Sequence, residues 1–201
     1  MRIEFQGVSK RYGVQQVIKD LSYTFEENQS YAIYGPNGSG KSSVLQLIAG
    51  IQSPNQGKII RSIQETSVSL EELPLLLSFS SPYMELPEEL NFYELINMHF
   101  SFREAMISDA KQYIIQQLGY EKSKQIRNYS SGMKMRLKLI LALTTKSQLV
   151  LLDEPTANFD EQGITWYQGI LEELRQNRTL IIASAQPIDH AFCQHRLTLS
   201  L

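Results

Sequence analysis

The sequence predicts an α/β fold with a mostly parallel sheet, an antiparallel β-subdomain at the N-terminus and an inserted α-helical subdomain. Three observations carry this. Apolar runs at 30–34, 148–152 and 179–184 alternate with helical patterns at 42–49 and 162–175, and strands alternating with helices argue for a parallel core. Ahead of them, residues 2–5 alternate polar and apolar, and 17–25 continue strand-like with Leu21, Tyr23 and Phe25 on one face, which suggests an antiparallel pair. From about residue 71 to 143 the pattern turns helical.

Taken in order, the strand at 30–34 feeds a glycine-rich turn, and the helix at 42–49 is closed by Gly50, a residue that tolerates the left-handed C-cap. SPNQG at 53–57 reads as a turn before a short strand at 58–63. Helices are expected at 91–102, 109–118 and 132–144, separated by polar turns. The chain is therefore expected to be one domain over 1–201, with 1–70 and 145–201 as its core and 71–144 as the helical subdomain. At 201 residues and 42% hydrophobic it is long enough to bury such a core.

Composition excludes some partners. Nineteen Lys and Arg against twenty-one Asp and Glu give a net charge of -2, which provides no basic field for nucleic acid. Cys193 stands alone, and no Cys/His cluster has metal-ligand spacing, as expected in a reducing compartment. No stretch approaches the roughly 18 consecutive apolar residues that span a bilayer, and MRIEFQGVSKRYG lacks a secretory apolar core. A cytosolic chain is expected.

Residues 35–42 match G-x-x-x-x-G-K-[ST] between a strand and a helix, the context that gives this motif meaning. In Gly35, Pro36, Asn37, Gly38, Ser39 and Gly40, the glycines let successive N–H groups turn toward an anion, and the helix N-terminus beyond adds partial positive charge. Lys41 is expected to reach the β- and γ-phosphates, Ser42 to help hold Mg²⁺, and Ser43 to extend the cradle. These features define a P-loop NTPase core, a loop that serves kinases, GTPases, helicases and pumps alike. QLVLLDEP at 148–155 supplies the acidic half: Asp153 ends an apolar run as the Mg²⁺ partner, and Glu154 is placed to orient or deprotonate a water.

Upstream lies NYSSGMKMRLKLILALTTK, 128–146, where small residues open a helix whose apolar side includes Leu137, Ile140, Leu141 and Leu143. By itself this is an ordinary serine N-cap or a second anion-binding helix end. In company with the loop and the acidic strand, it resembles the nucleotide-binding domains of ABC-type ATPases. YSSGM at 129–133 is similar to their LSGGQ signature, with Ser130 at the serine and Gly132 at the second glycine, while Ser131 and Met133 depart from it. LLDEPTANFD at 151–160 resembles their Walker B and D-loop, with Asp160 at the D-loop aspartate, and Tyr12 falls where the family stacks an aromatic ring on adenine.

The resemblance implies an ATP- and Mg²⁺-dependent hydrolase that pairs head to tail with a second nucleotide-binding domain, each ATP lying between the loop of one and the signature of the other. It also implies a transmembrane permease on a separate chain and a position on the inner face of the cell membrane. Non-transport ABC ATPases, a hydrolytically weak ATP-gated subunit and a small-molecule kinase are the competing readings.

Two family positions depart. Where a glutamine is expected at the start of the helical insertion, the chain offers Ser80, Ser81 and Pro82, with no glutamine between Gln64 and Gln112. Where a histidine is expected after Ser184, it has Ala185 and then Gln186, which is a substitute only if turned inward. His190 is expected at the surface. The aromatic run of Phe79, Tyr83, Phe92, Tyr93, Phe100 and Phe102 divides between helical core and a groove for a permease helix.

Overall fold

The computed structural model describes residues 1–175 and 177–200. Two sheets organise it. Strands β1 (Arg2–Tyr12) and β2 (Gln15–Phe25) form an antiparallel hairpin, turned at Gly13 in the left-handed region (φ 57°). With β4 (Gln56–Ile63) and β5 (Thr66–Ser67) they complete an antiparallel sheet of order β2-β1-β4-β5. The second sheet is parallel: β3 (Ser30–Tyr34), β6 (Leu77–Ser80), β7 (Leu149–Asp153), β8 (Thr179–Ala183) and β9 (His195–Thr198), in the order β6-β7-β8-β3-β9. Helices α1 (Lys41–Ile48), α2 (Leu73–Leu76), α3 (Phe92–Phe102), α4 (Ala110–Leu118), α5 (Ser131–Thr144) and α6 (Glu161–Leu174) follow in chain order.

The central parallel strands β3, β7 and β8 are buried almost throughout because both faces are covered. On β7, Val150 and Leu152 pack on one side with Phe92, Leu95, Ile114, Leu137 and Ile140 of the helical segments. Leu149 and Leu151 pack on the other with Phe5, Phe25, Val44 and Leu45. Period-two alternation thus splits one strand between two cores. Buried Arg178 ties α5 to α6: its guanidinium donates to the carbonyls of Leu143, Thr145 and Leu174, closing the C-terminal ends of the two helices just before β8.

Register places the functional end. Ile33 of β3 and Asp153 of β7 both pair with Ala183 of β8, so the chain leaves β3 and β7 at the same level on either side of β8. Crevices at the carboxyl ends of parallel strands are the usual ligand sites of α/β sheets.

The sequence reading is corrected at 71–144. After the one-turn helix α2 the expected helical stretch holds a strand: Leu77–Ser80 pairs in parallel with Leu149–Leu152, so the chain leaves the sheet only after Ser80. Four residues, Leu77, Ser78, Phe79 and Ser80, carry too little periodicity to separate strand from helix. Helix α3 does start where expected, because Asn91 and Glu94 form a reciprocal capping box.

Candidate functional site

Helix α1 begins at the end of the glycine loop. Its N-cap, Gly40, has φ 94°, and a Cβ there would stand 2.9 Å from Val17 Cγ1. A Cβ on Gly35 would stand 2.5 Å from the Leu199 carbonyl oxygen. Only glycine fits either position.

The loop closes over Lys41, whose side chain is 5% exposed and whose Nζ donates to the Gly35 and Pro36 carbonyls at 3.0 and 3.2 Å. Nζ also lies 3.5 Å from Glu154 Oε1. Ser39 Oγ is buried within the loop without a protein partner, a free donor that fits a phosphate oxygen. Tyr12 is 43% exposed at the edge of the loop, where its hydroxyl reaches Ser43 Oγ at 3.4 Å and Lys10 lies over its ring.

Asp153 is almost fully buried. Ser42 Oγ donates to its Oδ1 at 2.9 Å and Ser81 Oγ to its Oδ2 at 3.3 Å. Burial pushes its pKa up to about 6; the Ser42 hydrogen bond opposes this and the Glu154 charge adds to it. A hydroxyl beside a poorly solvated carboxylate is hard-oxygen donor chemistry, which fits Mg²⁺ with phosphate oxygens completing its shell.

Glu154 adopts the left-handed region (φ 43°), a conformation whose cost is of the order of 1 kcal/mol and which clusters at functional sites. Its carboxylate accepts from Ser184 Oγ at 2.8 Å and from the Ala185 N–H at 3.2 Å. Ala185 therefore offers its backbone to the carboxylate. Gln186 is exposed and engages the turn through its backbone: its N–H donates to Ser184 Oγ and its carbonyl accepts from the Asp189 N–H.

Lys41, Ser42, Asp153 and Glu154 thus converge. Ser130, Gly132 and Asp160 stand apart from them, with no hydrogen bond to the cluster among the described residues. Ser130 caps α5 by accepting from the Met133 N–H at 3.2 Å, and Asp160 caps α6 by accepting from Gly163 at 2.8 Å while pairing with Arg136. Gly132 lies where a Cβ would approach the Asn158 carbonyl oxygen to 3.3 Å, so the opening of α5 packs on the 151–160 segment. Beside it runs a groove of about 700 Å³ lined by residues including Pro82, Met84, Leu86, Glu88, Lys134 and Met135. In the aromatic run, Phe92 is core while Tyr83 and Phe102 are exposed.

Sequence reasoning missed three contacts: Ser81 on Asp153, Ser184 on Glu154, and Lys138 on the turn that carries Ser81. Ser80 and Ser81 replacing an expected glutamine was the one available signal. His190 is a correction. It is 6% exposed, edge-on to the Tyr34 ring, because the short 3-10 turn Pro187–His190 folds under the end of β3.

A glycine loop, a lysine buried beneath it and a serine–aspartate pair at the ends of parallel strands define a P-loop ATPase cassette. The family model described as ABC transporter matches residues 18–157, and the chain belongs to that family, whose members bind and generally hydrolyse ATP. It is 28% identical over 185 residues to an uncharacterized ABC transporter ATP-binding protein, YybJ, of Bacillus subtilis, covering 90% of this chain and 84% of that one. It is 30% identical over 191 residues to the Nod factor export ATP-binding protein I of Rhizobium johnstonii, covering 90% of this chain and 60% of that protein. Among solved structures, the dimeric bacterial ABC transporter cassette MJ0796 superposes with a TM-score of 0.82 at 21% identity, covering 98% of this chain and 94% of that one. The same cassette bound to ADP and Pi gives 0.81 at 20% identity, with the same coverage. No described helix is long and apolar enough to cross a membrane.

Proposed function

We propose that this chain is the ATP-hydrolysing subunit of an ABC transporter, working as a head-to-tail pair on the inner face of the cell membrane and driving a transmembrane permease on a separate chain. The observation that carries the reading is the convergence of Lys41, Ser42, Asp153 and Glu154 at the carboxyl ends of β3 and β7. The backbone N–H groups of residues 35–43 and Lys41 hold the phosphate chain, and Tyr12 stacks on the base. Ser42 and Asp153 hold Mg²⁺, which when bound neutralises phosphate charge. Glu154, fixed by Ser184 and the Ala185 N–H, orients a water and takes its proton as the water oxygen attacks the terminal phosphorus, leaving ADP and phosphate.

Ser130 and Gly132 of the partner, with its Asp160, close the site from across the pair. The groove at Pro82, Met84, Leu86 and Met135 receives the permease. Ala185 brings no side-chain donor to the terminal phosphate. Losing one such contact costs on the order of a hundredfold in rate, so turnover is slow.

ATP turnover of the purified chain against its Glu154→Gln variant tests this. Nucleotide binding is expected to survive, with turnover falling by about 10² to 10³; equal rates in the two proteins refute the assignment. Recovery from native membranes distinguishes the wider readings, since a polytopic membrane protein supports transport, whereas ribosomes or DNA would replace it with a non-transport role.

A further inference from the structure

Lys138 sits on α5, yet its charge is spent away from that helix. Its Nζ donates to the carbonyls of Ser81, Pro82 and Met84 at 2.8, 3.0 and 3.1 Å. An ammonium has three protons, so one turn of chain occupies its full donor capacity. The position is an awkward one for a cation: burial and then the neighbouring Lys134 push its pKa down, and Glu88 pairs with Lys134 instead.

The turn so held is the one leaving β6, closed by the Met84 N–H on the Ser81 carbonyl. Ser81 is 4% exposed. Its hydroxyl accepts from the Tyr83 N–H at 3.3 Å, which leaves its own proton for Asp153 Oδ2. With Ser42 on Oδ1, both oxygens of this carboxylate are fixed by hydroxyls from separate elements. A continuous path of hydrogen bonds therefore runs from α5 through Lys138 and the Ser81 turn to Asp153.

We propose that Lys138 is a positioning residue for Asp153: it ties the Ser81 turn to helix α5, so that the metal affinity of the carboxylate follows the placement of that helix. This rests on the ATP and Mg²⁺ reading above and deepens it. Helix α5 opens at Ser130 and Gly132, about 10 Å from Lys138 along its axis. The end that meets the partner's nucleotide thereby also sets the carboxylate in its own site.

The test is Mn²⁺ binding, followed by electron paramagnetic resonance in the presence of a non-hydrolysable ATP analogue, for wild type, Ser81→Ala, Lys138→Met, Lys138→Arg and the Ser81→Ala/Lys138→Met pair. Ser81→Ala and Lys138→Met are expected to weaken Mn²⁺ binding about tenfold, the scale for groups that orient a metal ligand. Metal-free affinity for the analogue stays unchanged. Lys138→Arg, which keeps donors at the turn, retains most of the metal affinity. The double variant loses no more than either single one, because both act on one path. Unchanged Mn²⁺ affinity in Lys138→Met, or losses that add in the double variant, overturns the proposal alone. Should Lys138→Met not fold, metal affinity lost in folded Ser81→Ala and retained in folded Lys138→Arg supports the path, and unchanged affinity in Ser81→Ala, or a loss in Lys138→Arg equal to that in Ser81→Ala, overturns it. A wild-type chain that binds no nucleotide removes the ATP reading and this inference together.

Discussion

The Asp153 carboxyl is 1% exposed, and its pKa of about 6 lies above the ordinary 3.8. Between those values the folded chain binds a proton that the unfolded chain releases, so the nucleotide-free protein loses stability as pH rises through this window and levels off above it. Asp153→Asn stays neutral and keeps an acceptor for Ser42. In urea unfolding it is expected to gain about 1 to 3 kcal/mol near pH 8 and nothing near pH 4, where both side chains are uncharged. A gain equal at both pH values would assign the effect to packing. Metal affinity runs oppositely: it needs the ionised carboxylate, so it weakens as pH falls through about 6 and is lost in the asparagine variant. The same burial that costs stability gives the carboxylate a reason to bind a cation.

At the scale of elements, α5 rests on one small cap that also carries the proposed signature contact. Ser130→Ala removes the acceptor for Met133 and is expected to cost about 1 kcal/mol in thermal melts. Ser130→Asp keeps an acceptor there, and a carboxylate is favourable at a helix N-terminus, so its melting temperature stays near wild type. The same substitution sets negative charge against the partner's phosphate, so ATP turnover collapses while the fold persists; full turnover in Ser130→Asp would leave Ser130 a cap alone. This double role explains which elements were legible. The loop, the strand ending in Asp153 and the serine cap at Ser130 announce themselves through local chemistry. Strands β6 and β9 do not: Leu77–Ser80 and His195–Thr198 are four residues each, defined by their parallel neighbours rather than by their own pattern. Ser81 on Asp153 and Ser184 on Glu154 depend on register across the sheet, at separations of 72 and 30 residues. The burial of His190 likewise depends on a ring 156 positions earlier, Tyr34, packed edge-on against it.

On the proposed function, the whole molecule presents two halves of an ATP site that do not meet within it. One is the Lys41, Ser42, Asp153 and Glu154 cluster; the other is the opening of α5 with Ser130 and Gly132, joined to the cluster by no hydrogen bond among the described residues. A two-fold pair sets each end of one chain against the opposite end of its partner, since such an interface uses the same two patches twice. On that reading, turnover per molecule rises with protein concentration, and variants broken at opposite ends complement each other. Lys41→Ala removes the phosphate lysine but keeps an intact α5 opening, whereas Ser130→Asp does the reverse. Each is expected to be inactive alone. In an equal mixture half of the pairs are mixed, and each mixed pair holds one composite site with both halves intact, so turnover should recover to about a quarter of wild type. A mixture as inactive as its parts, with mixed pairs demonstrated by native mass measurement, would show that the two ends do not complete one another's sites.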